Sequence, residues 1–363
     1  MPGDCGSIEW GDYDNDGDMD LVVVGTYTGS PVAKIFRNEG GGSFVEETNA
    51  IFTGVGTHDV KWGDYDNDGK LDLVFVGSTT MVYHNEGNGL FALETNTIFP
   101  RGGESVAWAD YDSDGHLDLT ITGDDDAGRF TRIYHNDGGG IFTENASASI
   151  VALKHSALAW GDYDNDGDLD LLLAGEISDG TTLDFRCFLY RNEGNGQFQE
   201  IDAGFGGVDE CSVAWGDYDR DGRLDLVIVG QQLQEPRYIS RVYRNNCEKA
   251  NTVPTVPGGL TANVVSNDVT LSWNPGTDAE TPVEGLSYNI RVRTDSGGEE
   301  DIVPSMSAWF IGTRRIPAMG NVQLNKSWTI KGLAPGTYHW TVQSVDNCYA
   351  GSYWATEQTF VVP

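Results

Sequence analysis

This 363-residue chain is strongly acidic and rich in glycine, with 56 Asp and Glu against 22 Lys and Arg, a formal net charge of −34, and 47 glycines. An acidic surface repels nucleic acid and anionic membranes, so neither is expected as a partner. The sequence also contains no apolar run long enough to cross a bilayer as a helix, and we expect no membrane span.

One acidic loop recurs about every fifty residues through the first two thirds of the chain. Each copy reads Trp-(Gly/Ala)-Asp-Tyr-Asp-x-Asp-Gly-x-(Leu/Met)-Asp-Leu, and the five copies begin at Trp10, Trp62, Trp108, Trp160 and Trp215. A period of this length predicts an array of repeated supersecondary units. The equivalent position of the five tryptophans predicts packing between units rather than a sugar-stacking platform.

The spacing of acidic residues within each loop predicts a calcium site. Aspartates occupy loop positions 1, 3, 5 and 9 and a glycine occupies position 6, as in Asp12, Asp14, Asp16, Gly17 and Asp20. Four carboxylates held this close repel one another unless a cation lies among them. Oxygen-only ligands in an irregular loop favour Ca²⁺ over Mg²⁺ and exclude metals that prefer thiolate or imidazole. We therefore expect about five Ca²⁺ sites.

The start of the loop is also that of an EF-hand, which requires a glutamate at position 12 on a following helix. Here position 12 is apolar in every copy: Val23, Phe75, Ile121, Leu173 and Ile228. The surrounding Val/Leu/Ile runs are typical of strands buried on both faces. The EF-hand interpretation therefore fails in all five repeats.

Four antiparallel strands are predicted in each repeat. One short apolar strand enters the loop, and a second, such as residues 21–24, leaves it. A third ends in an aromatic-basic-Asn triplet such as Phe36-Arg37-Asn38, and after a glycine-rich turn a phenylalanine such as Phe44 opens a fourth. His84 and His135, the basic residues of two triplets, are expected to be strand-end contacts. Four antiparallel strands per repeat predict a β-propeller blade.

With these features, the chain resembles the FG-GAP or VCBS repeats of integrin-α-like β-propellers, whose calcium loops read Asp-x-Asp-x-Asp-Gly-x-x-Asp between the first two strands of a blade. The resemblance covers about residues 5–246 and implies a propeller over residues 1–247. It implies the side-chain ligands Asp12, Asp14, Asp16, Asp20, Asp64, Asp66, Asp68, Asp72, Asp110, Asp112, Asp114, Asp118, Asp162, Asp164, Asp166, Asp170, Asp217, Asp219, Asp221 and Asp225. It also implies a backbone carbonyl ligand at position 7, which is Asp18, Lys70, His116, Asp168 and Arg223.

Two features depart from this family, whose propellers usually have seven blades. Only five loops are present, and the fifth repeat passes from its triplet at residues 243–245 to Cys247 without an evident fourth strand. That strand could come from the N-terminal residues, from a partner subunit or from sequence beyond this chain. Because an unpaired strand edge invites pairing, we expect a homo-oligomer or filament formed through the incomplete last blade. A disulfide between Cys5 and Cys247 is one way in which the two ends of the propeller could be joined.

A second domain is predicted after a stiff linker at residues 248–257, where the repeats end and prolines appear. Residues 258–363 contain alternating strands, and the segment Leu333-Ala334-Pro335-Gly336-Thr337-Tyr338 resembles the tyrosine corner of fibronectin type III domains. We therefore expect an all-β chain, a propeller of four-stranded blades followed by a fibronectin type III-like sandwich. Such domains commonly act as spacers or docking modules.

The function expected from these features is non-catalytic. The sequence shows no nucleophile motif, phosphate loop or Cys/His metal site, and its clustered carboxylates are assigned to calcium. Extracellular modules bind calcium at about 10⁻⁴ to 10⁻³ M, which predicts a secreted or cell-surface protein. We expect a structural or adhesive component of a surface, matrix or appendage. A module that binds a glycan or protein ligand, and an accessory part of a secreted polysaccharide-degrading enzyme, are the alternatives.

Overall fold

The computed structural model describes residues 4–53, 58–177, 182–294, 301–308 and 312–363, and every helix or strand assigned within them is a β-strand. The N-terminal two thirds form five consecutive antiparallel sheets, and the C-terminal third forms two facing sheets. The predicted all-β fold with four-stranded blades and a C-terminal sandwich is confirmed.

Each of the five N-terminal sheets is one blade, with its strands hydrogen-bonded in sequence order. The first two blades are β1 (Asp4–Gly11), β2 (Asp20–Tyr27), β3 (Ser30–Asn38), β4 (Phe44–Glu46), β5 (Asp59–Gly63), β6 (Asp72–Val76), β7 (Met81–Gly87) and β8 (Leu90–Leu93). The third and fourth are β9 (Gly103–Ala109), β10 (Asp118–Asp125), β11 (Gly128–Asn136), β12 (Phe142–Glu144), β13 (Lys154–Gly161), β14 (Asp170–Glu176), β15 (Phe185–Asn192) and β16 (Phe198–Ile201). The fifth has three strands, β17 (Asp209–Gly216), β18 (Asp225–Gln231) and β19 (Tyr238–Tyr243).

Each acidic loop joins the first two strands of its blade. In the first blade the tryptophan that precedes the loop pairs with the leucine that follows it, Trp10 with Leu21, and the flanking pair is Gly11 with Asp20. The same register recurs in the other four blades. All five loops, hereafter loops 1 to 5, consequently lie at the same end of their blades.

Aromatic stacking joins consecutive blades. The tyrosine of each of the first three loops stacks on the tryptophan of the next blade, with ring centroids 6.1–6.2 Å apart, in the pairs Tyr13–Trp62, Tyr65–Trp108 and Tyr111–Trp160. These tryptophans and Trp215 are at most 7% exposed, which confirms the predicted packing between units. For Trp10 the prediction is wrong, because this side chain is 51% exposed on the outer face of the first blade.

A second set of contacts repeats with the stacking. The triplet asparagine, at or near the end of the third strand of a blade, donates its side-chain N–H to the carbonyl of the preceding loop's tyrosine. The four bonds, 2.6–2.8 Å long, are Asn85 to Tyr13, Asn136 to Tyr65, Asn192 to Tyr111 and Asn245 to Tyr163. Each asparagine also bonds to a carbonyl of its own blade, so it satisfies buried backbone on both sides of the interface.

The C-terminal domain is a two-sheet sandwich. One sheet contains β20 (Gly258–Val265), β21 (Asp268–Asn274) and β24 (Ser327–Ile330), and the other contains β22 (Ser287–Thr294), β23 (Asp301–Val303), β25 (Gly336–Val345) and β26 (Gln358–Val362). Trp273 and Trp340 are buried between the sheets with ring centroids 6.4 Å apart. The Tyr338 hydroxyl donates to the Ala334 carbonyl at 2.7 Å. This bond forms the tyrosine corner that the sequence predicted.

The sandwich packs against the propeller at the end that carries the acidic loops. Leu324 is buried in a cluster with Tyr65 and Trp108, so the two domains share part of a hydrophobic core. In the segment predicted as a linker, the Asn251 N–H donates to the Gly222 carbonyl of loop 5, and the Thr255 N–H donates to the Thr277 carbonyl of the sandwich.

The Cys5 side chain lies outside the described residues, so the proposed disulfide with Cys247 stays a prediction.

The repeated asparagine allows a matched test of the blade interfaces. Asn85→Ala should lower the free energy of unfolding by about 1–3 kcal/mol, because it leaves the Tyr13 carbonyl without its partner. Asn38→Ala is the control, because Asn38 occupies the equivalent position in the first blade and bonds only within it. Urea unfolding of both variants measures the difference, and equal losses would contradict the assigned role of the asparagine.

Candidate metal centres

The first aspartate of each loop organises the turn. One Asp12 carboxylate oxygen accepts the Asp16 N–H and the other accepts the Gly17 N–H, both at 3.0 Å. The glycine has a φ of 97°, a conformation that side chains with a Cβ rarely adopt. The first aspartates of the other four loops, Asp64, Asp110, Asp162 and Asp217, accept the equivalent two bonds.

The last aspartate of each loop connects the turn to the third strand. The Asp20 carboxylate is fully buried and accepts the Tyr13 N–H at 3.2 Å and the Asn38 N–H at 2.8 Å. Asp72, Asp118, Asp170 and Asp225 accept the equivalent bonds in loops 2 to 5. The sequence interpretation missed both this backbone bond and the side-chain bonds of the triplet asparagine to the preceding blade, and only the side-chain bonds had a signal in the sequence, the recurrence of asparagine in all five repeats.

These bonds bring the carboxylates of a loop together. Asp12, Asp14 and Asp20 each place a carboxylate oxygen within 4.8 Å of the others, as do Asp64, Asp66 and Asp72. Among the described residues, buried oxygens of Asp14, Asp164 and Asp221 have no hydrogen-bond donor. Converging oxygens without donors fit a hard divalent cation, so the donor set matches the predicted ion. The ligand role of the twenty aspartates, and of the five position-7 carbonyls, remains a prediction.

In the second, third and fifth blades, the basic residue of the triplet lies beside these carboxylates. His84 Nδ1 lies 3.3 Å from both Asp66 and Asp72, and His135 Nδ1 lies 3.2 Å from Asp112 and 3.4 Å from Asp118. In loop 5, Arg244 pairs with two aspartates at 2.7 and 2.8 Å. The two histidines are thus more than strand-end contacts, since they lie beside the predicted ligands.

Burial is the main reason that carboxyl groups in the loops have raised pKa values. Desolvation, with repulsion from neighbouring aspartates, raises the pKa of Asp20 to about 8, of Asp110 to about 8 and of Asp118 to about 9. In loop 2 the pKa of Asp64 rises to about 7 for the same reasons. A hydrogen bond to Asp72 raises the pKa of His84 to about 9. A divalent cation would reverse these shifts by favouring the ionised carboxylates.

The C-terminal domain contacts the first aspartate of two loops directly. Asn325 donates its side-chain N–H to an Asp64 carboxylate oxygen at 2.8 Å, and the Gln323 side-chain carbonyl accepts the Asp64 N–H at 2.7 Å. At loop 4, the Cys348 thiol lies 3.4 Å from the Asp162 carboxylate, and the Asn347 carbonyl accepts the Asp162 N–H at 3.2 Å.

The same domain also reaches the backbone of other loop residues. The Lys331 N–H donates to the Asn15 carbonyl of loop 1 at 2.7 Å. Asn347 donates its side-chain N–H to the Gly167 carbonyl of loop 4 at 2.8 Å. The candidate metal loops therefore also form much of the interface between the two domains, which the sequence did not indicate.

Comparison with known families agrees with this organisation. Residues 12–75, 64–121, 110–173 and 179–228 match the FG-GAP-like repeat, and residues 255–360 match the fibronectin type III domain. Both matches are to non-catalytic domains. A comparison with curated proteins finds no match to this chain. Within the described residues, no helix is long and apolar enough to cross a membrane.

The raised pKa values predict that calcium reverses the pH dependence of stability. With a chelator present, the folded protein binds more protons than the unfolded chain between about pH 4 and pH 8, so stability should fall as pH rises through this window. With excess calcium the bound carboxylates are ionised, so stability should instead fall as pH is lowered. Urea unfolding at several pH values measures both slopes.

Asp118→Asn should flatten both slopes, because it removes the loop carboxyl whose pKa is about 9. Asp126→Asn is the control, because Asp126 is an exposed aspartate outside the loops. The same slope with calcium and with chelator would contradict the assignment.

The domain interface can be tested at Asn325, whose side chain is buried against Asp64. Asn325→Ala should lower the free energy of unfolding by about 1.5–3 kcal/mol, because a buried hydrogen bond to a carboxylate is lost. Asn96→Ala, at an exposed asparagine between the second and third blades, should have little effect. Equal unfolding energies for the two variants would show that the Asn325 contact does not stabilise the protein.

Proposed function

This chain belongs to the FG-GAP-like repeat family, and on that premise we propose that it is a non-catalytic structural or adhesive protein that works outside the cell with about five bound Ca²⁺ ions. The observation that carries the proposal is the position of the acidic loops. They lie at one end of all five blades, join neighbouring blades and meet the fibronectin type III domain. An ion in each loop would therefore stabilise contacts throughout the protein.

Binding arithmetic favours a structural role for the ions. At ten times its dissociation constant, a ligand that binds only the folded state adds about 1.4 kcal/mol per site, or about 7 kcal/mol for five independent sites. Whole domains are stable by only about 5–15 kcal/mol. Calcium at extracellular concentrations would accordingly supply a large part of the stability of this fold.

Electron microscopy of native material, with calcium and after chelation, tests the structural version of the proposal. Ordered polymers that disassemble on chelation would support it. Dispersed single particles under both conditions would contradict it. In that case, binding of a glycan or protein on a propeller face would support a ligand-binding module, and turnover of a polysaccharide by the isolated chain would support a hydrolytic role.

The calcium concentration that stabilises the protein tests the proposed location. The melting temperature should rise as calcium increases through about 10⁻⁴ to 10⁻³ M, because weak loop sites fill in this range. Magnesium at equal concentration should raise it less, since Mg²⁺ demands stricter octahedral geometry. Saturation at submicromolar calcium would instead indicate sites that fill inside cells and would contradict an extracellular role.

A further inference from the structure

We propose that the outer face of the fifth blade binds the outer face of the first blade in a second copy of this chain, with Trp10 of that copy packed against Tyr218. The inference rests on the proposed function as a structural protein that forms polymers, and it identifies the partner as a second copy of this chain. It concerns the broad faces of the two end blades rather than the missing fourth strand. The four blade interfaces within the chain define what such a contact requires.

Those interfaces share one design. In the first three interfaces a loop tyrosine stacks on the tryptophan of the next blade, and in the fourth Tyr163 packs against the cluster that contains Trp215. A glycine that follows a blade's own tryptophan lies against the ring of the next blade's tryptophan. A methyl group built on Gly11 would come within 2.7 Å of the Trp62 ring, and one on Gly161 within 2.8 Å of the Trp215 ring. Each interface therefore combines a tyrosine and a small residue on one blade with a tryptophan on the next.

In the part of the chain that the structure describes, the first blade presents the tryptophan side of this interface, and no blade packs on it. Trp10 is 51% exposed and Ile8, on the same strand and the same face, is 54% exposed. In β2, Val22 and Val24 are fully buried, whereas Leu21 and Val23, which point to the opposite face, are only partly buried. By contrast, every residue of β6 in the second blade is buried. The apolar sequence of β2 suits a strand covered on both faces, although only one face is covered.

The fifth blade presents the tyrosine side. Tyr218 is 60% exposed and Val242 of β19 is 62% exposed. A methyl group on Gly216 would have Pro317 of the C-terminal domain as its nearest neighbour, at 3.7 Å. Trp215, Gly216, Tyr218 and Val242 line a cavity of about 740 Å³, together with residues of the C-terminal domain such as Ile316. This face has the composition of an internal blade face and space for an aromatic side chain.

The two faces are complementary but do not meet within the described chain, since Trp10 and Tyr218 are both exposed. Each face carries the aromatic residue that marks one side of the internal interfaces, Trp10 on the first blade and Tyr218 on the fifth, so the partner that fits best is the opposite end of another copy. Such a head-to-tail contact uses two different surfaces and generates a closed ring or an open filament, depending on the rotation between copies. Tyr218 belongs to loop 5, so we expect association to require calcium.

Analytical ultracentrifugation of the full chain in calcium, with single variants and a mixture of two variants, tests the proposal. The wild-type chain should associate as its concentration rises. Trp10→Ala and Tyr218→Ala should each weaken association by at least about tenfold, because a central aromatic anchor is removed from one face. Ile98→Ala is the control, because Ile98 is 94% exposed in the connection between the second and third blades, away from both end faces.

The mixture distinguishes a head-to-tail contact from other modes of association. Trp10→Ala retains an intact fifth blade and Tyr218→Ala retains an intact first blade, so equal amounts of the two should form dimers and nothing larger. Ile8→Asp and Val242→Asp provide a second pair, which places a charge in each face without removing an aromatic ring. All four variants should stay folded in calcium, because more than half of each altered side chain is exposed, and melting curves check this. Trp10→Ala should melt slightly earlier than the wild type, since the Trp10 ring also contacts Phe44 of its own blade, with ring centroids 6.0 Å apart.

Three results would overturn the inference: a wild-type chain that stays monomeric with its ions bound, variants that associate like the wild type, or a mixture without dimers. A monomeric wild type whose melting temperature still rises with calcium would refute this interface and leave the calcium-stabilised fold standing. Trp10 buried in that monomer would indicate closure of the ring within one chain, which also overturns the proposal.

Discussion

The structure depends on keeping many aspartates close together at one end of the propeller. Each loop holds its carboxylates in place with backbone N–H groups, and burial penalises their charge. A hard divalent ion is the simplest group that can neutralise such a cluster without disturbing these bonds. Because these loops also carry the tyrosines and carbonyls that contact neighbouring blades, neutralising their charge affects how the whole array packs.

Neighbouring loops are also joined by direct hydrogen bonds. Asn15 of loop 1 donates to the Gly69 carbonyl of loop 2, and Asn67 of loop 2 donates to the Gly115 carbonyl of loop 3. The C-terminal domain adds bonds to loops 1, 2 and 4, so it contacts the array at several points along its length. Ions bound in these loops would therefore act as a set on a shared interface, to which the C-terminal domain contributes directly.

The sequence predicted the repeated elements well, because their local patterns are strong. The acidic loop and the strand after it recur in all five repeats, a fourth strand that contains a phenylalanine recurs in the first four, and Tyr338 indicated the sandwich. Contacts between segments that are far apart in the sequence produce no repeated sequence pattern that would predict them. Nothing near Asn325 in the sequence indicates that it meets Asp64, and exposure of Trp10 follows only from its position at the end of the array.

Metal analysis of the purified chain, combined with calorimetric titration of calcium, tests the central claim most directly. The account predicts about five Ca²⁺ ions per chain, removed by chelator and restored on titration. A chain that contains no divalent metal after purification in calcium, and that gives no binding heat at millimolar calcium, would contradict the claim that cations hold these acidic loops together.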